Sequence, residues 1–178
     1  MKKNRTLLGV ALVIALLVLG IGYALEATHL NIIGATTITA SDTNFKVAFA
    51  DVTEANIIKK GKGAAADTIS KINDTQINLG VNSLQAVGDE VTFQMTINNT
   101  SAAGIYASIP APTITVGTNG SLNNSKYYTV TTDWTATEEL EPGTGSKTFT
   151  VTVKLDKAPV NNINEEFTVA FTAEPINK

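Results

Sequence analysis

No cysteine occurs in the sequence, and histidine occurs once, as His29. Without thiols there is no disulfide framework, no thiolate nucleophile and no cysteine-held metal. The absence also excludes lipid attachment through an N-terminal cysteine. A single histidine excludes the zinc-protease helix, which needs two at i and i+4. Charged residues make up 16% of the chain and aromatic residues 6%, with one tryptophan. No window of 11 or more residues beyond the N-terminal run carries a helical apolar stripe, so a helical domain is not expected.

The one long apolar run lies at the start. Lys2, Lys3 and Arg5 precede an uncharged stretch from Leu7 to Ala24 that ends in small residues, Gly22-Tyr23-Ala24. A positive n-region, an apolar h-region and a small-x-small exit mark a secretory signal peptide over residues 1–24, with cleavage by a signal peptidase between Ala24 and Leu25. The competing reading is a retained anchor, because the run lies at the lower edge of what spans a bilayer. Membrane contact is then expected only through the uncleaved signal, and residues 25–178 lie outside the cytoplasm, secreted to the cell surface or an extracellular matrix. No sorting signal with a hydrophobic tail is seen near the terminal FTAEPINK. Removal of the signal takes away three of the 13 basic residues and none of the 16 acids, leaving 10 against 16 and a formal charge of −6. An acidic surface with dispersed lysines argues against nucleic acid or anionic lipid as a partner.

Past Ala24 the periodicity is two. VTFQMTIN (91–98), TFTVTVKL (148–155) and EFTVAFT (166–172) alternate Val, Ile, Met or Phe with Thr and other polar residues, the pattern of half-buried strands. Weaker candidates are 29–38, 45–50, 66–72, 76–81, 104–108, 113–117 and 127–134. Turn chemistry separates them at Asn73-Asp74-Thr75, Val87-Gly88-Asp89, Asn119-Gly120 and Pro142-Gly143-Thr144-Gly145. Pro110 and Pro112 confine their segment to an edge or loop. Segment 53–66, TEANIIKKGKGAAA, reads as a strand end followed by a mobile loop. About nine or ten strands in 154 residues predict an all-β chain: one antiparallel β-sandwich over 25–178, of jelly-roll or immunoglobulin-like type.

Catalytic and binding motifs are weak. His29 reads as a surface or strand residue rather than a base. EPGTGSKT (141–148) lacks the Gly-Lys-Ser/Thr order of a phosphate loop and precedes a strand, so it reads as a turn. Glu138, Glu139, Glu141, Glu165 and Glu166 read as solvated charge without calcium-loop spacing. Trp134 with Tyr127 and Tyr128 offers a sugar-stacking platform, but Tyr128, Val130, Thr132 and Trp134 share one strand face, which favours core. Asn-x-Ser/Thr triplets occur at Asn73, Asn98, Asn99, Asn119 and Asn123. No catalytic residue, cofactor or metal site is expected, and the chain is not expected to be an enzyme.

KKNRTLLGVALVIALLVLGIGYA, LNIIGATTITASDTNFKVAF, LQAVGDEVTFQMTINNTSAAGIYA and EEFTVAFTAEP together resemble the TasA/camelysin-like family of secreted bacterial proteins. The resemblance implies removal of the signal, a jelly-roll-like sandwich and assembly into extracellular fibres of a biofilm matrix. Its partners would be further copies of itself or related matrix subunits. The family also carries a metalloprotease label through camelysin, to which one histidine and no zinc helix give no physical support.

A physical route to assembly follows from the segment after the cleavage point. Thr28, Leu30 and Ile32 share one face of a strand-like stretch, with His29, Asn31 and Ile33 on the other. Residues 25–38 either complete the sandwich of the next subunit, making an open head-to-tail chain, or pair in cis as an ordinary first strand. The alternatives to a fibre subunit are an adhesin-like surface module that binds glycan or host protein, and a secreted peptidase.

Overall fold

The computed structural model describes residues 30–40, 45–117, 127–159 and 163–178. The proposed signal segment, the Ala24–Leu25 junction, Thr28, His29, Asn119 and Asn123 lie outside the described residues. Among the described residues twelve strands form: β1 Leu30–Ala40, β2 Val47–Phe49, β3 Ile57–Lys59, β4 Thr68–Asn73, β5 Gln76–Val81, β6 Glu90–Asn99, β7 Ile105–Ile109, β8 Thr113–Val116, β9 Tyr128–Thr132, β10 Glu138–Leu140, β11 Ser146–Leu155 and β12 Ile163–Asn177. One 3-10 turn at Glu54–Asn56 precedes β3. The chain is an all-β sandwich. One sheet has seven strands in the order β10-β7-β12-β1-β5-β4, with β8 also on β12; the other has five, β2-β6-β11-β9, with β3 also on β6. Every pair is antiparallel except β1 with β12, which run parallel.

The alternation read from sequence is the burial pattern observed. Val91, Phe93, Met95 and Ile97 of β6 point inward, as do Phe149, Val151, Val153 and Leu155 of β11 and Phe167, Val169 and Phe171 of β12. Each such side chain contributes roughly 1.5–3 kcal/mol on burial, which offsets the ordering entropy without any disulfide. Trp134, Phe149 and Phe171 meet edge to face, with ring centroids 4.9–5.6 Å apart, where the two sheets close on each other.

Three polar pins cross between the sheets. The buried Asn99 Nδ2 donates to the carbonyls of Ile105 (3.0 Å) and Leu140 (2.9 Å). The Trp134 indole N–H donates to Ile109 O at 3.3 Å, and the Tyr128 hydroxyl to Glu166 O at 2.8 Å. Burial of Tyr128, with the carboxylates of Glu165 and Glu166 nearby, pushes its phenol pKa well up and keeps it a donor.

Two expectations need correction. Segment 53–66 does hold a strand, β3, preceded by the 3-10 turn, but the loop that follows is not loose: it is fastened to Ser83, with Gly61 N–H donating to Ser83 Oγ (2.7 Å) and Gly63 N–H to Ser83 O (2.7 Å). A Cβ at Gly61 would meet Ser83 O at 2.2 Å, so the close approach requires glycine there. Buried Asp67 completes the knot, accepting from Ser83 Oγ at 2.5 Å and from the N–H groups of Asn82 and Ser83. The strand count is also higher than expected, because β3 and β10 have three residues each and show no period. Pro110 and Pro112 fall in the break between β7 and β8, which follow one another along the same edge of β12.

Candidate functional site

β1 lies in the interior of the larger sheet, with ladders on both sides. Residues 30–40 pair in parallel with 163–173 of β12, and residues 32–37 pair with 81–76 of β5. Within a single chain, residues 30–38 of the segment singled out for strand addition are thus part of the chain's own sandwich. Its inward positions are Ile32, Gly34, Thr36 and Ile38, all buried, while Ile33 on the opposite face is 53% exposed. Ile32 thus packs in the core, on the face the alternation assigned to it with Leu30.

This inward row differs from those beside it. β5 offers Ile77, Leu79 and Val81, and β12 offers Phe167, Val169, Phe171 and Ala173. In β1 the central pair is Gly34 and Thr36. Gly34 is registered against Phe167, and a Cβ placed on it would lie 2.0 Å from the Phe167 ring. The ring therefore fills the space that a side chain at position 34 would take, a knob in a hole that fixes register. Thr36 sits opposite Val169 and Ile77, is fully buried, and its Oγ1 has no hydrogen-bond partner among the described residues. An unsatisfied buried hydroxyl costs about 1–3 kcal/mol. The strand is thus matched to its seat in shape and mismatched in polarity.

The other sequence candidates do not converge. Glu138 pairs with Lys147 at 2.8 Å, Glu139 with Lys178, and Glu141 stands exposed at the turn before β11. The EPGTGSKT stretch is that turn: Gly143 has φ 78°, and Gly145 N–H donates to Glu141 O at 3.0 Å. Among the described residues no cluster of His, Asp and Glu could hold a metal ion. Trp134 is 2% exposed and belongs to the core, so it presents no stacking platform. Of the triplets, Asn99 is buried and fully bonded, whereas Asn73 is exposed. Sequence reasoning missed the buried carboxylates. Asp89 accepts from the N–H groups of Gln85 (3.0 Å) and Ala86 (2.9 Å) and lies 3.7 Å from the Lys62 ammonium. Burial works to raise its pKa, but the backbone donors and Lys62 outweigh it and hold the carboxyl below its usual value. The turn signal Val87-Gly88-Asp89 marked the place without revealing that Asp89 closes it.

No model of a known protein family matches the chain, and no curated protein matches it.

Proposed function

We propose that this is a secreted structural protein of the TasA/camelysin-like type, a subunit or accessory of extracellular matrix fibres that assembles by N-terminal strand addition. The observation that carries the reading is the place of β1, drawn from the segment that follows the proposed cleavage point. It occupies the middle of a sheet, bonded to β12 and β5 along both edges. A strand in that position forms the same ladder whichever copy supplies it, and a seat filled from the next copy makes a head-to-tail interface that does not close. The apolar, disulfide-free core, the acidic charge balance and the export-type N-terminus are consistent with such a role.

The test is negative-stain electron microscopy of residues 25–178, made without the signal and incubated at high concentration. Regular filaments are expected. A field of monodisperse globules would refute self-assembly and favour an adhesin-like module, which saturable binding by the monomer would then identify.

A further inference from the structure

The fold treats the three Asn-x-Ser/Thr triplets whose asparagines are described in three different ways. Asn99 is buried, and its amide nitrogen is already given to two carbonyls. Asn98 is half-buried in β6, between β2 and β11, and the hydroxyl of its Thr100 donates to Lys46 O at 3.2 Å. Asn73, Asp74 and Thr75 are all exposed, at the tip of the β4–β5 hairpin. β4 ends its sheet, so no strand among the described residues screens the tip on that side.

At this tip the two side chains that define the triplet are joined. Asn73 Oδ1 accepts from the Thr75 N–H and from the Thr75 hydroxyl, both at 2.9 Å. A carboxamide has one accepting and one donating end. Here the accepting end is held, and Nδ2 makes no hydrogen bond among the described residues. Asp74, whose charge would repel an anionic donor, is paired with Lys71 at 3.0 Å. The turn is also fixed from behind: Asp74 O accepts from Phe49 N–H (2.7 Å), and Thr75 O from Ile38 N–H (3.0 Å).

We infer that Asn73 is an N-glycosylation acceptor, modified in the folded chain by a sugar activated as a glycosyl diphosphate. A bond forms between Nδ2 and the anomeric carbon of the sugar. The bond from that carbon to the diphosphate oxygen breaks, its electron pair leaves with the diphosphate, and a base of the transferring enzyme takes one Nδ2 proton. Thr75 supplies the second contact by which such an enzyme recognises the triplet. A glycan at this position stands at the open edge of β4, where bulk refuses an incoming strand. The inference goes beyond the fibre reading and holds whether or not copies assemble.

The experiment treats residues 25–178 in two arms. One supplies a membrane oligosaccharyltransferase with polyprenyl-diphosphate-linked chitobiose, the other a soluble N-glycosyltransferase with UDP-glucose. A synthetic peptide of residues 68–80 is the unfolded reference, and mass spectrometry reads occupancy at each asparagine. Asn73 of the folded chain is expected to be occupied in at least one arm, with Asn98 and Asn99 bare. The arm that works shows whether the donor is lipid-linked or nucleotide-linked. Thr75→Val is expected to abolish the modification and Thr75→Ser to retain it, with thermal unfolding unchanged in both. An Asn73 left bare in both arms would overturn the proposal, whether or not the peptide is modified, and this result needs no variant to fold. Equal occupancy at Asn98 or Asn99, or undiminished modification of the Thr75→Val chain, would overturn it as well.

Discussion

Replacing Asn99 by alanine tests whether polar pins, rather than apolar contact alone, hold the two sheets in place. Asn99 lies at the end of β6 and is fully buried. Its Nδ2 reaches the carbonyls of Ile105 and Leu140 on the other sheet, and its Oδ1 accepts the Ser101 N–H at 3.1 Å. The alanine variant loses three hydrogen bonds, each a net contribution of about 1 kcal/mol, and leaves two carbonyls and one N–H without partners in a site closed to water. The expected loss is about 3–5 kcal/mol, a large share of the roughly 5–15 kcal/mol that holds an average domain together. In urea unfolding followed by the fluorescence of Trp134, the midpoint should fall by about 2 M with little change in slope. Asn99→Asp separates bonding from volume, since it keeps the size and the acceptor but loses both donors. At neutral pH it should be at least as damaging as alanine, with partial recovery as pH falls towards about 4, because burial raises the acid's pKa and its protonated form regains one O–H donor. A loss under about 1 kcal/mol for either variant at pH 7 would refute the claim that these bonds fasten the sheets.

Two further outcomes follow from buried groups. The folded-state pKa of Asp89 lies below its unfolded value. The ionised carboxylate therefore adds stability above the unfolded value of about 3.9, and that stability is lost as pH falls through the lower folded value. Asp89→Asn should flatten the acid limb of a stability–pH curve below about pH 4, and an unchanged limb would refute the assignment. Trp134, the single tryptophan, should emit at short wavelength in the folded chain and shift red on unfolding, with soluble oligosaccharides leaving the spectrum unchanged. Trp134→Ala should cost about 3–5 kcal/mol in denaturant titration, and a sugar-dependent emission shift would count against its place in the core.

What the sequence made legible is what has a short period. β6, β11 and the middle of β12 declared themselves because Val, Phe, Met and Ile recur at every second residue, and β5 has the bounds expected of it. β12 extends eight residues beyond the seven that alternate, three before and five after, and only partnership with β1, β7 and β8 reveals its ends. Pro175 is tolerated because the ladder with β1 ends at the Ala40–Ala173 pair, which leaves that stretch of β12 with one edge unpaired among the described residues. β1 itself was readable as a strand but not as a central one. Its buried row, Ile-Gly-Thr-Ile, is no more apolar than a solvent-facing row, and the exposed Ile33 sits on the wrong side for a simple hydrophobicity rule. Gly34 was the available signal, since glycine inside a strand often marks a close backbone or side-chain approach. Nothing local announced that the ring filling its place would come from Phe167. The bonds of Asp67 to Ser83 and of Asn99 to Leu140 were hidden for the same reason, being 16 and 41 residues apart.

The outer edges of the sandwich bear on how such a chain could associate. β4 ends the larger sheet and carries Lys71, held between Asp51 at 3.2 Å and Asp74 at 3.0 Å; both partners work to raise the lysine's pKa and keep it charged. β10, at the other end, is three residues long and flanked by the Glu138–Lys147 and Glu139–Lys178 pairs. β2 and β3, beside β6 in the smaller sheet, are three residues each. Short edges and charged edges are the two ordinary ways of refusing an incoming strand, because a desolvated lysine or a brief ladder repays too little of the ordering entropy. The strand with the longest ladder, β1 along β12, is instead an internal one. Under the fibre reading, association then runs through the β1 seat, where register is keyed by Gly34 and Phe167, and not through the edges. On that reading each copy would accept one strand and offer one, so growth would be linear, and lateral sheet extension would be disfavoured by the charges at β4 and β10.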